Sequence, residues 1–532
     1  MYFFKKKIPH FSSLDFFYIL TTFFFIIFYL FARLYSTQYD TLQIYFLSLK
    51  PLIGQQIYQD YSFTYSPYID FFFQIFSKIN IDSFNFLLIL GIIQSLFAGF
   101  LSILFCKEIF NFESVKKICF FITVFTIGVE YFYLFWDCFV PLLGIYGLYL
   151  VFLKKKFIFG TLILSFIWFL KQTFGITFFL IFIFLSLVNF FYYKKKIFLI
   201  NIFIFFSFSF AHVLIIYIFS DFQKFYNENL LIIFKYADIY KRNSILDYLF
   251  GVIFLFPDIN NFETLKNSIF VNFSFSQLIF YFLFRLPVFL LYIYLLFYIR
   301  DFFKGYYQAL VILLLSSILP LPLLGRGYWG TIYFFPILSI FFIIFFFNKI
   351  KIYSSFFKNK IFFLLYSYIF ILFIYTLTFV LKKSNFNLRN DVIKSNFLFL
   401  NFSAADIRKS EFDSVNDMYQ YMRDNKIENI FIMNNTCVQI LALLSQVSVN
   451  RDFMGISIEN KYFDWNLKFW SKNETNLERF VNDFNIKSAK YVLYNSHDYL
   501  LMKKDLPENL LNNYLVKYSN NNFVLLEKLN NN

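Results

Sequence analysis

Asp40, Asp60, Lys171 and Arg326 are side chains whose types suit a reaction on a phosphorylated substrate. A carboxylate can take the proton from an attacking hydroxyl, and cations can neutralise a phosphate leaving group. Asp40 stands just past the first long apolar run. Asp60 closes the segment Gly54-Gln-Gln-Ile-Tyr-Gln-Asp60-Tyr61, and Tyr65-Ser-Pro67-Tyr68 follows it. Lys171-Gln172 interrupts an apolar run between Trp168-Phe-Leu and Thr173-Phe-Gly, and Arg326 sits in Gly325-Arg326-Gly327-Tyr328. Ionisable groups so close to hydrocarbon are expensive unless they are paired or face a water-filled cavity. Each residue also has a plainer use. Asp40 can end a helix at the membrane interface, and Asp60 can serve a turn. Lys171 can snorkel towards water, and Arg326 can mark the boundary of a span. Asp70, Glu130 and Asp137 fit such plain uses better, and Tyr328 suits an interfacial aromatic belt.

The elements that must position these residues are helices in a bilayer. The chain has 532 residues, of which 59% are hydrophobic, against about 45–50% in soluble domains. Long apolar runs recur, which predicts a polytopic α-helical membrane protein. About eleven spans are expected, near 14–35, 84–105, 118–135, 138–153, 157–171, 173–192, 197–219, 276–299, 306–324, 331–348 and 361–381. The 91 Phe and 41 Tyr accompany abundant Ile, Lys and Asn, so aromatic richness alone is weak evidence of binding.

The net charge of +15 does not point to nucleic acid, because many of the lysines lie in short clusters between apolar runs. With the N-terminus in the cytoplasm, those clusters all fall on one side: Lys5 to Lys7, Lys107 with Lys116 and Lys117, Lys154 to Lys156, Lys194 to Lys196, Arg300 with Lys304, and Lys349 to Lys360. That is the positive-inside pattern. The outer side then receives a first loop (36–83), the Lys171-Gln172 turn, a long loop (220–275), the Arg326 turn and everything after 383. The first loop is expected to fold as two short interfacial helices, about 41–50 and 66–78, separated at Lys50, Pro51 and Gly54.

Cys106, Cys119, Cys138 and Cys437 show no CxxC spacing, so neither a disulfide framework nor a zinc site is expected. His10, His212 and His497 form no motif, and no cleavable signal peptide is evident. From about Ser384 the long apolar runs stop. Strand-sized segments at 427–433, 489–494 and 523–527 alternate with helical patterns at 415–423 and 477–484, and Pro507 can open a further helix. This predicts a small soluble α/β domain over 384–532, outside the cytoplasm.

Tyr39-Asp40-x-x-x-x-Tyr45, then Gly54-x-x-Ile57-Tyr58-x-Asp60-Tyr61, then Tyr65-Ser-Pro67, resembles the first outer loop of GT-C-fold glycosyltransferases. These are the membrane enzymes related to protein O-mannosyltransferases and lipid A aminoarabinose transferases. The resemblance implies a membrane domain over 1–383 that moves a sugar from a polyprenyl-phosphate carrier to a lipid, glycan or protein acceptor, with inversion. By the same resemblance, Asp40 is the catalytic base, and Lys171, Gln172 and Arg326 lie near the donor phosphate. Asp60, Tyr61, Tyr65 and Tyr328 complete the expected substrate-binding set. The implied setting is the outer face of a bacterial inner membrane, with lipids and the lipid-linked donor as partners and no nucleic acid. Many members have Asp-Glu where this chain has Asp40-Thr41. No metal site is assigned, and a divalent cation would need oxygen ligands such as Asp40. Two other classes stay open: a transporter or lipid-linked sugar flippase, which would place polar groups at mid-bilayer, and a polytopic scaffold without catalysis.

Overall fold

A computed structural model describes residues 13–33, 68, 83–109, 113–130, 135–193, 196–219, 222–226, 305–318, 367, 370, 371, 374, 392–394, 401–403, 412–427, 430–432, 490–496 and 511–529. The longer helices are α1 (Ser13–Arg33), α2 (Ser83–Ile109), α3 (Glu113–Glu130), α4 (Phe135–Leu148), α5 (Phe157–Leu170), α6 (Gln172–Tyr193), α7 (Ile197–Phe219) and α8 (Gly305–Ile318), and a single turn, Phe222–Phe225, follows α7. A π-helical turn, Tyr149–Leu153, extends α4. Among the described residues, three helices are long and apolar enough to cross a membrane: Ile89–Ile109, Phe174–Phe191 and Ile197–Phe219. Phe16–Ile27, Phe139–Leu153 and Phe157–Leu170 are shorter apolar helices.

Helices α1 to α7 fall on the first seven expected spans, and α8 overlaps the ninth, starting one residue before it. Ser367, Phe370, Ile371 and Ile374 have helical backbone within the eleventh. The runs at 276–299 and 331–348 lie outside the described residues. The third helix departs most at its start, running from 113 rather than 118. Its first turn is polar, so hydropathy alone passes over it. Lys116 nevertheless lies buried there and pairs with Glu113 one turn away, at 2.5 Å.

The helices run alternately up and down. Tyr18 meets Phe120, and Phe25 meets Phe125, so α1 and α3 run parallel. Phe157 meets Phe198 at the starts of α5 and α7, and Phe169 meets His212 further along. The connection from α5 to α6 is a tight hairpin. An ion pair of 2.6 Å between Lys154 and Glu108 brings the end of α4 to the end of α2. One end of the bundle therefore carries Lys107, Lys116, Lys117, Lys154 to Lys156 and Lys196.

One apolar core joins α2 to α6, α8, and Phe198 and Phe205 of α7. Within it, Gln308 Nε2 of α8 donates to Asn189 Oδ1 of α6 at 2.9 Å. The opposite faces of the outer helices are also apolar. On α7, Phe203 is 73% exposed and Phe210 64%. On α1, Phe16, Phe23 and Phe24 are exposed. Surfaces of this kind suit hydrocarbon rather than water.

The C-terminal part has strands β1 (Val392–Lys394), β2 (Asn401–Ser403), β3 (Ile430–Ile432), β4 (Tyr491–Asn495), β5 (Tyr514–Ser519) and β6 (Phe523–Lys528), and one further helix, α9 (Phe412–Asp424). Strands β1 and β2 form an antiparallel pair. The others form a four-stranded sheet in the order β3-β4-β6-β5. Strand β3 runs parallel to β4, and the remaining pairs are antiparallel. Expected strands at 427–433, 489–494 and 523–527 thus appear as β3, β4 and β6. Strand β5 was not expected; it is half of a hairpin closed by Asn520. Asn520 Oδ1 accepts from the N–H groups of Asn522 and Phe523, at 3.2 and 2.9 Å, and its Nδ2 donates to Ser414 O of α9 at 2.6 Å. The expected helices at 477–484 and after Pro507 lie outside the described residues.

Candidate functional site

The end of the bundle opposite the lysine clusters is built around the joint between α5 and α6. A single residue, Lys171, makes that joint. Its N–H donates to Ile167 O at 3.0 Å, which closes α5, and its carbonyl accepts from Gly175 N at 2.9 Å, which opens α6. Its backbone is extended, with φ −151° and ψ 110°, the conformation of a helix N-cap. So short a joint folds the two helices hard against each other. A Cβ on Gly175 would land on the backbone of Trp168, so only glycine admits this approach. The expected break at Lys171-Gln172 is therefore a one-residue turn, with Gln172 as the first residue of α6.

The Lys171 side chain does not reach outward. The residue is 6% exposed, and its ammonium lies 5.5 Å from the centre of the Phe174 ring. A snorkelling lysine would place its head in water. A cation against an aromatic face in a desolvated place gains up to about 2 kcal/mol from the ring.

Beside this joint sits a residue of the first loop. Tyr68, inside the expected helix 66–78, has helical backbone. Its ring packs edge-on against Phe166 and Phe169 of α5, with centroids 5.2 and 6.5 Å away. Its hydroxyl bonds Nδ1 of His212, on α7, at 2.9 Å. Phe166 and Phe169 also flank the imidazole, with centroids 5.6 and 5.1 Å from it. Burial pushes the Tyr68 phenol up to about 12, so it stays neutral. Tyr68 thus bonds a residue 144 positions away and packs on Phe169, two positions before Lys171 in sequence.

Of the expected site residues, Lys171 and Gln172 are described here. Asp40, Asp60, Tyr61, Tyr65, Arg326 and Tyr328 lie outside the described residues, as do Asp70 and the expected helix 41–50. The last residue of α3, Glu130, and the third residue of α4, Asp137, stand at the same bundle end as Lys171. Sequence reasoning missed His212. The signal available was its place inside the apolar run 197–219, where an ionisable side chain is costly and marks a functional candidate; the absence of a histidine motif hid it. Chemically, the described part of the site offers a buried cation, an imidazole and a neutral phenol at one bundle end. Groups of these types can bind an anionic or hydroxylated headgroup. No protein-family model matches the chain, and no curated protein is similar to it.

Proposed function

We propose that the chain is an integral-membrane glycosyltransferase that moves a sugar from a polyprenyl-phosphate carrier to a lipid, glycan or protein acceptor. The observation that carries this reading is the packing of Tyr68 on the last turn of α5, next to the Lys171 joint in sequence. Tyr68, in the stretch between α1 and α2, packs on Phe169, two residues before the buried Lys171 in sequence, which supports a site at this bundle end. In this reading about eleven helices span the membrane, with the lysine-rich end in the cytoplasm. The Lys171 end and residues 384–532 face the other side of a bacterial inner membrane.

Asp40 takes the proton of the acceptor hydroxyl as that oxygen attacks the anomeric carbon, and the carrier phosphate leaves from the opposite face. Lys171 and Arg326 stabilise the charge that develops on the phosphate. Asp60, Tyr61, Tyr65, Gln172 and Tyr328 bind the sugar and the acceptor. A divalent cation, if used, would take oxygen ligands such as Asp40.

The test is transfer by the purified protein from radiolabelled polyprenyl-phosphate sugars. Asp40→Asn should lower kcat by roughly 10²–10⁴ with expression unchanged, the usual loss for a general base. Lys171→Ala should raise the donor concentration needed as well as slow transfer. Full activity in Asp40→Asn would remove Asp40 as the base and make Asp60 the next residue to test. A transporter or flippase is the second reading, and the buried Asn189–Gln308 pair between α6 and α8 is the observation on its side. Movement of lipid-linked sugar across proteoliposomes, without transfer, would favour it.

A further inference from the structure

Thr161 of α5, Ser186 of α6 and Asn201 of α7 are each fully buried, and no step of the proposed transfer reaction uses them. Among the described residues, the Thr161 and Ser186 hydroxyls and both polar atoms of the Asn201 amide have no hydrogen-bond partner. Polar groups taken out of water in this way cost free energy unless a partner meets them.

Aromatic contacts on either side set the three residues at one level of the bundle. Towards the lysine-rich end, Phe157 of α5 meets Phe198 of α7, with ring centroids 5.9 Å apart. One turn further in, Thr161 follows Phe157 and Asn201 follows Phe198 on the same helix faces. Deeper in the bundle, Phe182 of α6 meets Phe205 of α7, with centroids 5.5 Å apart. One turn back towards the lysines, those faces carry Ser186 and again Asn201. Phe152, in the π-helical turn, touches both Phe182 and Phe198, with centroids 6.1 and 6.0 Å away. The polar level is thus enclosed by phenylalanines from four consecutive elements.

The Asn201 amide selects the occupant. Its Nδ2 donates and its Oδ1 accepts, so whatever meets both must accept and donate at once. A metal cation would be repelled by the N–H groups, and an anion would leave Oδ1 unmet. Exchanging the two ends of the amide alters neither statement. Water does both, and a buried water takes two to four polar partners. The Thr161 and Ser186 hydroxyls supply the remaining ones.

We propose that Thr161, Ser186 and Asn201 form an internal water site that joins α5, α6 and α7. The site holds water whatever reaction the protein performs. Helices in lipid gain little from burying apolar surface, so a water shared by three of them gives α7 a directional link to the α5–α6 hairpin.

The test uses the full-length protein in lipid nanodiscs. Short X-ray pulses turn water into hydroxyl radicals, which oxidise the side chains beside it. Phe198, Phe205 and Phe182 should be oxidised several-fold more than Phe105 and Phe178, which are as deeply buried in the same core. Equal oxidation of the two groups in the wild-type protein overturns the site, with no variant needed. Loss of the labelling when sodium is replaced by choline would put a cation there and overturn it too.

Stability gives the second readout. Asn201→Leu keeps the volume and removes the amide, so it should lower the unfolding temperature and abolish the excess oxidation. Adding Thr161→Val and Ser186→Ala should then recover much of that temperature, because no polar group is left without its water. If the three groups were simply dry, Asn201→Leu would raise the unfolding temperature and the further substitutions would raise it again; that result overturns the proposal.

Discussion

Helices α7 and α9 are each packed on one side, and they are written inside out with respect to each other. Helix α9 buries Val415, Met418, Tyr419 and Met422 and turns Asp413, Asp417, Arg423 and Asp424 outward. Helix α7 turns Phe203, Phe206, Phe210 and Phe219 outward and places Asn201 fully inside. The Asn201 amide finds no hydrogen-bond partner among the described residues. Amphipathic pattern follows the surrounding medium. The contrast therefore teaches that two parts of one Phe-rich chain fold against different solvents, hydrocarbon around α7 and water around α9.

The contrast breaks most readily on its outward faces. Phe210→Lys, near the middle of α7, should weaken membrane insertion by about 2.5–3.5 kcal/mol, as judged with a glycosylation-site reporter. Leu515→Lys, on an exposed position of β5, should change stability by no more than about 0.5 kcal/mol. Equal tolerance of both substitutions would end the two-solvent reading.

Packing gives the next test. Helices in lipid gain little from burying apolar surface, so they rely on close approach. Gly175→Val should force α6 away from Trp168 and cost about 1–3 kcal/mol in thermal unfolding in detergent. An unchanged unfolding temperature would show that the joint has slack.

In the C-terminal sheet, side-chain hydrogen bonds in water do comparable work on a smaller scale. Asn520→Ala removes the acceptor of two turn N–H groups and the bond to Ser414. It should speed hydrogen exchange in β5 and β6 by an amount equivalent to about 0.5–1.5 kcal/mol per bond lost, with α5 to α7 unaffected. Faster exchange throughout the chain would mean that the two parts unfold together.

The smallest effect concerns acid. Lys517 bonds Glu527 at 2.8 Å and holds the Glu527 carboxyl below its ordinary value. Because the folded value is the depressed one, the pair adds stability above the unfolded carboxyl's pKa of about 4.3 and loses it as pH falls through the folded value. Glu527→Gln should therefore flatten the acid dependence of exchange in β5 and β6, after correction for intrinsic rates. A steeper dependence would contradict the sign.

Apolar run length was enough to place α1 to α7, because a helix in hydrocarbon must satisfy its own backbone over a fixed thickness. It misplaced the start of α3, where an ion pair at 113 and 116 extends the helix beyond its apolar part. The break at Lys171-Gln172 was legible as a polar interruption, but its length was not, since a one-residue joint depends on Gly175 lying against Trp168. Strand β5 was missed because its hairpin is set by an Asn side chain rather than by glycine. The Tyr68–His212 bond was illegible for a different reason. Nothing local announces a contact between residues so far apart, and only the folded α5 and α7 bring the two together.

The Lys171 joint has a bearing on how the protein is made. Helix α5 has 14 residues, about 21 Å of rise, less than the hydrocarbon thickness of a bilayer. It would be a poor substrate for the insertion machinery by itself. With one residue between them, α5 and the 22-residue α6 form a single helical hairpin with the lysine at its tip. In the orientation proposed above, the longer helix would carry the shorter one into the membrane as one unit.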